Sequence, residues 1–280
     1  MLLNLIKYDL KFILKTVLIY SILLLASAIL HNLTSYDYTP TFFNEADQLV
    51  GGEPDAPVII QFLHTVFYNA VIAMLIALTL NAIIRIWARF KLSVYGDEAY
   101  LTHTLPISRN SLWLSKFLSA IITIIIVISV TTLTCAILSL TTTGKSLIST
   151  FGVIETTNFI FYPVYIFAIF SELLIMTTCG LSGIIIGYRT NNNRGLRAII
   201  SGFIIYIFSA LLLLGFIALW GVFDSTIQQG IFGSINNPHE FYNIDFIIKV
   251  IFGISLTYTA ITTALYFLNR KLLQHGINLD

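Results

Sequence analysis

Few residues in this chain belong to types that do chemistry, and those are widely spaced. His31, His64, His103, His239 and His275 are scattered, and His239-Glu240 lacks the second histidine that a zinc-protease helix carries. Cys135 and Cys179 both fall inside apolar runs without metal-ligand spacing, which suggests small packing residues and neither a disulfide framework nor a zinc site. Gly144-Lys145-Ser146 has the ending of a phosphate-binding loop, but that motif needs a glycine at position 139, where this chain has Ser139. No buried strand precedes it, so it reads as a turn. With no nucleophile elbow and no ATP-binding motif, the expectation is a chain that is not an enzyme and holds no metal or cofactor of its own.

Glu172 stands apart, because it lies well inside an apolar run. A charged side chain at the centre of a bilayer costs about 2.5–3.5 kcal/mol on insertion scales, so this carboxyl is expected to face a bundle interior or a wet cavity. Two roles fit it. One is structural, with the carboxyl protonated or hydrogen-bonded to a neighbouring helix, and with Ser171 and Thr177 near it in sequence. The other is a part in substrate passage or proton movement.

The elements that must position these residues are membrane spans. Hydrophobic residues make up 57% of the chain, charged residues 10%, and the mean hydropathy is +0.87, which excludes an ordinary soluble domain. A net charge of +1 without a basic run leaves no footprint for nucleic acid. Six apolar runs are read as spans, at about Thr16 to Leu33, Phe62 to Ile84, Phe117 to Leu140, Phe159 to Gly187, Ala198 to Gly221 and Phe246 to Leu268. The fold class is therefore an all-α membrane protein of six transmembrane helices, forming a single transmembrane domain over residues 1–280.

Before the first span, Asn4, Lys7, Tyr8, Lys11 and Lys15 share one helical face and Leu3, Ile6, Leu10, Ile13 and Leu14 the other, which predicts an interfacial amphipathic helix. Ala26-Ser27-Ala28 resembles a signal-peptide cleavage site, but the patterned leader carrying Asp9 and the apolar run beyond that site favour retention. The stretch from Thr34 to about Val58 has five acids and no Lys or Arg, as befits a water-exposed loop. Asn32-Leu33-Thr34 matches a glycosylation sequon by chance at a span's mouth. Pro163 near the start of the long fourth span predicts tilt or a kink. Gly183 and Gly187 form a small-residue pair that admits a close helix neighbour, within the chain or in a second copy. Asp245 and Lys249 are spaced for a surface pair.

Between the second and third spans lies a compact polar stretch, Gly96 to Lys116. Asp97 or Glu98 can cap a short helix carrying Tyr100, Leu101 and Leu105, with Leu101 and Leu105 on one face, and Pro106 ends it. Ser108 is placed to cap the next helix, with Ile107 and Leu112 in staple positions. Leu105, Pro106, Ile107, Ser108, Arg109 and Lys116 resemble the first cytoplasmic loop of the permease subunits of type-2 (ABC-2-type) ATP-binding-cassette exporters. The layout of six spans with an amphipathic N-terminal helix and a short basic tail extends that resemblance over most of the chain.

The resemblance implies that this loop carries the coupling helix, with Asp97, Glu98, Tyr100, Leu101, Leu105, Pro106, Ser108 and Arg109 meeting a separate ATPase subunit. ATP and Mg would be bound by that partner. A second permease subunit, identical or paralogous, would complete the pathway, and hydrophobic or amphipathic peptides, lipids or drugs would be its substrates. Charge supports the orientation this requires. Of 15 Lys and Arg, 13 fall in the N-terminal helix, the 85–116 loop, the 189–197 loop and the tail, which assigns those parts and both termini to the cytoplasmic side of the cell membrane. The alternatives are a secondary transporter using Glu172, which lacks the expected internal repeat, and a non-transporting anchor or sensor subunit.

Overall fold

The computed structural model describes residues 2–34, 42–43, 49–50, 58–96, 98–99, 108–141, 145, 160–189, 193–224, 227 and 244–274. Six helices dominate them: α1 Leu2–Thr34, α2 Val58–Tyr95, α3 Arg109–Leu138, α4 Phe161–Gly187, α5 Arg194–Phe223 and α6 Ile244–Gln274. Each is long and apolar enough to cross a membrane. Among the described residues the strands are two residues each, β1 Phe42–Phe43 and β2 Leu49–Val50, paired antiparallel with Phe42 opposite Val50.

Four of the six helices, α1, α2, α5 and α6, outrun the apolar stretches at both ends, because a hydrogen-bond ladder continues past the point where hydropathy falls if no Gly or Pro interrupts it. α1 contains neither residue, so the segment expected to be a separate interfacial helix and the first span form one uninterrupted helix. α2 likewise runs through Arg85, Arg89 and Lys91 to Tyr95. It is followed by Gly96, where a Cβ would sit 2.9 Å from the Leu92 carbonyl oxygen, so the tight exit suits glycine. Pro163 falls in the first turn of α4, where an imino nitrogen removes no ladder bond, so it gives no cause for the expected kink.

The chain divides into two compact units, one of Met1–Ile13, Ile83–Ile125 and Thr157–Asp280, the other of Leu14–Ala82 and Ile126–Thr156. In the second unit Val17, Leu24 and Ala28 of α1 and Val71 and Leu78 of α2 are fully buried. Asn32 donates to the Ile137 carbonyl and accepts from the Thr141 hydroxyl at 3.0 Å, so the sequon-like asparagine is occupied in packing. His31 is stacked on His64 with ring centroids 4.6 Å apart.

In the first unit α4 packs against α5 and α6. The small-residue pair decides how closely. A Cβ on Gly183 would lie 2.5 Å from the Ala198 oxygen, and one on Gly187 2.4 Å from the Ala198 nitrogen. The close neighbour of Gly183 and Gly187 is thus α5 of the same chain. Ser201 Oγ donates to the Gly183 carbonyl at 3.0 Å across this contact. On the α6 side, Asn269 Nδ2 donates to Ser182 Oγ at 2.8 Å, with both residues buried. Ile175, Cys179, Leu213 and Tyr258 form an apolar cluster drawn from α4, α5 and α6. The side chain of Asp245 lies outside the described residues; Lys249 Nζ stands 3.2 Å from Asp224 Oδ2.

Candidate functional site

Along α1 the buried positions Ile6, Asp9, Ile13 and Val17 follow one another at intervals of three or four, so Asp9 occupies the interior stripe of its helix. On α3 the buried series Trp113, Lys116, Ala120 and Ile124 does the same for Lys116. Two opposite charges on interior stripes need each other. Lys116 Nζ lies 2.7 and 2.8 Å from the two carboxylate oxygens of Asp9, with the Asp9 side chain 1% and the Lys116 side chain 5% exposed. Arg89 of α2 joins them, its Nε donating to Asp9 Oδ1 at 2.8 Å and its Nη1 to Glu98 Oε2 at 2.6 Å. The Arg89 guanidinium also lies 5.4 Å from the Phe12 ring centroid. Two cations and two carboxylates thus balance inside the first unit. Charge-assisted bonds this short are roughly twice as strong as neutral ones. Because each partner is neutralised, the cluster's chemistry is mechanical: it clamps α1, α2 and α3 together at one point.

That point is where the α2–α3 loop begins, for Glu98 belongs to it and the Ala99 amide donates back to the Gly96 carbonyl at 2.9 Å. The loop's far end is held too. Ser108 Oγ accepts from the Ser111 amide at 3.2 Å, and the Leu112 amide bonds the Ser108 carbonyl at 3.1 Å, so Ser108 is the N-cap of α3. Arg109 Nη1 donates to the Gln274 carbonyl at 3.0 Å, and Asn110 Oδ1 accepts from Arg270 Nε at 3.1 Å and Gln274 Nε2 at 2.7 Å. The first turn of α3 is therefore bolted to the last turn of α6. Behind it Trp113 meets Phe90 edge-on at 6.0 Å and Tyr266 at 5.9 Å. The cavity among Phe90, Arg109, Trp113 and Lys116 has a volume of about 10 Å³, room for one water and no ligand.

Of the residues expected to form the coupling surface, Asp97, Tyr100, Leu101, Leu105 and Pro106 lie outside the described residues, whereas Glu98, Ser108 and Arg109 are the loop's anchors. Sequence reasoning noted Asp9, Arg89 and Lys116 singly but missed their meeting. The signal was available in the period: Asp9 and Lys116 each interrupt an otherwise apolar or small stripe.

Glu172 sits near the middle of α4, half-buried, and its Oε1 accepts the Tyr206 hydroxyl proton of α5 at 2.9 Å. Tyr206 in turn packs against the Ile175, Cys179, Leu213 and Tyr258 cluster. Ser171 and Thr177 do not serve the carboxyl: their hydroxyls donate to the Ala168 and Leu174 carbonyls of α4 itself, each at 2.9 Å. Among the described residues no three His, Cys, Asp or Glu side chains are grouped to hold a metal ion. No family model, curated protein or solved structure matches this chain.

Proposed function

We propose that this chain is the membrane-spanning permease subunit of an ATP-driven ABC exporter, half of a translocation pathway completed by a second permease subunit and powered by a separate ATPase. The observation that carries the reading is the anchoring of the α2–α3 loop at both ends, by Glu98 on Arg89 and by Arg109 on the last turn of α6. A mere connector has no need of such rigid mounts. A loop that receives force does, since displacement of Tyr100 to Pro106 passes through the Asp9–Arg89–Lys116 clamp to α1, α2 and α3 and through Arg109 to α6.

The positive-inside distribution supports a cytoplasmic loop and cytoplasmic termini. The exposed Asn4, Lys7, Tyr8, Lys11 and Lys15 support an interfacial role for the start of α1. In this mechanism closure of the ATPase pair pushes the coupling helix, and the clamped helices tilt as one body. Hydrophobic or amphipathic compounds are the substrate class, with Glu172 as the interior polar group.

The test is association in membranes. With Tyr100, Leu101 and Leu105 all changed to Ala, capture of the ABC ATPase that co-isolates with the parent chain should weaken by about 2–4 kcal/mol, as for central interface anchors, while the spans still insert. Parent-level capture by the triple variant refutes the coupling role. Labelling of a cysteine at His103 by an impermeant reagent from outside the cell removes the exporter reading altogether.

A further inference from the structure

Among the described residues Glu172 forms no ion pair. α4 contains no Lys, Arg or His, and α5 has none between Ala198 and Phe223. The cations of α6 are Lys249, which meets Asp224 at 3.2 Å, and Arg270 and Lys271 near its other end. What the carboxyl has instead is a neutral phenol: Tyr206 fixes Oε1 at 2.9 Å, and Oε2 accepts no hydrogen bond among the described residues. The side chain as a whole is half-buried and not sealed. Its partner Tyr206 packs against an apolar cluster containing a second phenol, Tyr258.

A carboxylate held open beside aromatic rings in an apolar setting is the chemistry that recognises an organic cation, which gains counter-charge from the acid and attraction from the ring faces. The geometry points to Glu172 and Tyr206 as the binding point for the positively charged group of a lipophilic cation. The inference rests on the permease reading and names its substrate class: amphiphiles that carry a cationic centre on an apolar body. The phenol orients the carboxylate, and the cation completes the charge balance that the fold leaves open.

Binding can be measured on the full chain in lipid nanodiscs without any ATPase, using tetraphenylphosphonium as probe and uncharged triphenylphosphine oxide as comparator. The parent should bind the cation saturably and in preference to the neutral compound. Glu172→Gln, which keeps the shape and removes the charge, should weaken cation binding about 30-fold, as for loss of one partner of a desolvated charge pair. Tyr206→Phe, which keeps the ring and loses the hydroxyl, should weaken it about 3-fold. Glu172→Asp should recover part of the affinity lost in Glu172→Gln, and equal thermal melting of the variants guards against misfolding. Absence of saturable cation binding by the parent, equal binding by Glu172→Gln, or equal affinity for the neutral compound overturns the proposal. The two readings fail separately: the Tyr100, Leu101 and Leu105 triple variant should bind the probe like the parent, and loss of ATPase capture leaves the cation result untouched.

Discussion

Asp9 of α1 and Glu172 of α4 are both acids inside helices able to cross a membrane, yet Asp9 receives Lys116 and Arg89 on its two oxygens, whereas Glu172 receives one neutral hydroxyl. The surroundings differ in the same sense. Asp9 is sealed from solvent with its partners built in, and Glu172 is half-buried with no hydrogen bond to Oε2 among the described residues. Burying two charges is favourable only when geometry and further hydrogen bonds offset their desolvation. At Asp9 those conditions are met inside the fold, so the group is committed to holding helices together. At Glu172 the described residues supply only the Tyr206 hydroxyl, which is the condition under which the proposed cation would complete the charge balance.

The comparison breaks most sharply at Asp9. Asp9→Ala strands Lys116 and leaves Arg89 with Glu98 alone, and removal of one partner of a buried pair costs about 3–5 kcal/mol. Denaturation of the purified chain in detergent, compared with the parent, measures it. A cost below about 1 kcal/mol, the range of surface pairs, would mean the cluster is hydrated and no clamp. Pairing Asp9→Leu with Lys116→Met should recover much of the loss, because two apolar groups of similar volume leave no stranded charge.

Ser108→Ala should cost about 1 kcal/mol through the lost N-cap bond to the Ser111 amide. Ser108→Gly should cost less, since glycine is itself an acceptable cap. Helix unfolding followed by hydrogen exchange at the first turn of α3 resolves the two, and equal protection in both variants contradicts the cap.

A smaller effect is expected at Glu98, whose side chain is 50% exposed. Glu98→Gln should change stability by about 0–1 kcal/mol, and less at high salt. The smallest is Glu172→Gln, which should leave the melting temperature unchanged or slightly raised because it removes a charge from an apolar setting. A large destabilisation there would recast Glu172 as a structural acid like Asp9 and erase the contrast.

How much of this was legible beforehand differs by element. The six apolar runs, the acidic first loop, the Ser108 cap and the charge asymmetry are local properties of consecutive residues, and they predict span number, helix class and a capped α3 directly. Helix ends were less legible. α2 continues through Arg85, Arg89 and Lys91 because a helix ends where its ladder is interrupted, at Gly96, and hydropathy does not report that. Gly183 and Gly187 announced a close neighbour, but whether α5 or a second copy filled the place was not in their spacing.

The sequence by itself determined that this is a chain of helices able to span a membrane, with 13 of its 15 Lys and Arg in the N-terminal segment, the 85–116 and 189–197 stretches and the tail, and with a capped start to the third helix. Only the tertiary structure decided that Asp9 meets Arg89, 80 residues away, and Lys116, 107 away, and that Glu172 meets Tyr206, 34 away. The physical reason lies in the spans themselves. A helix apolar on nearly every side has no strong rotational preference in lipid, so its facing is set by close packing and a few polar contacts. Gly183 against Ala198, Asn269 against Ser182 and Asp9 against Lys116 are such contacts. Each exists only once two particular helices have become neighbours.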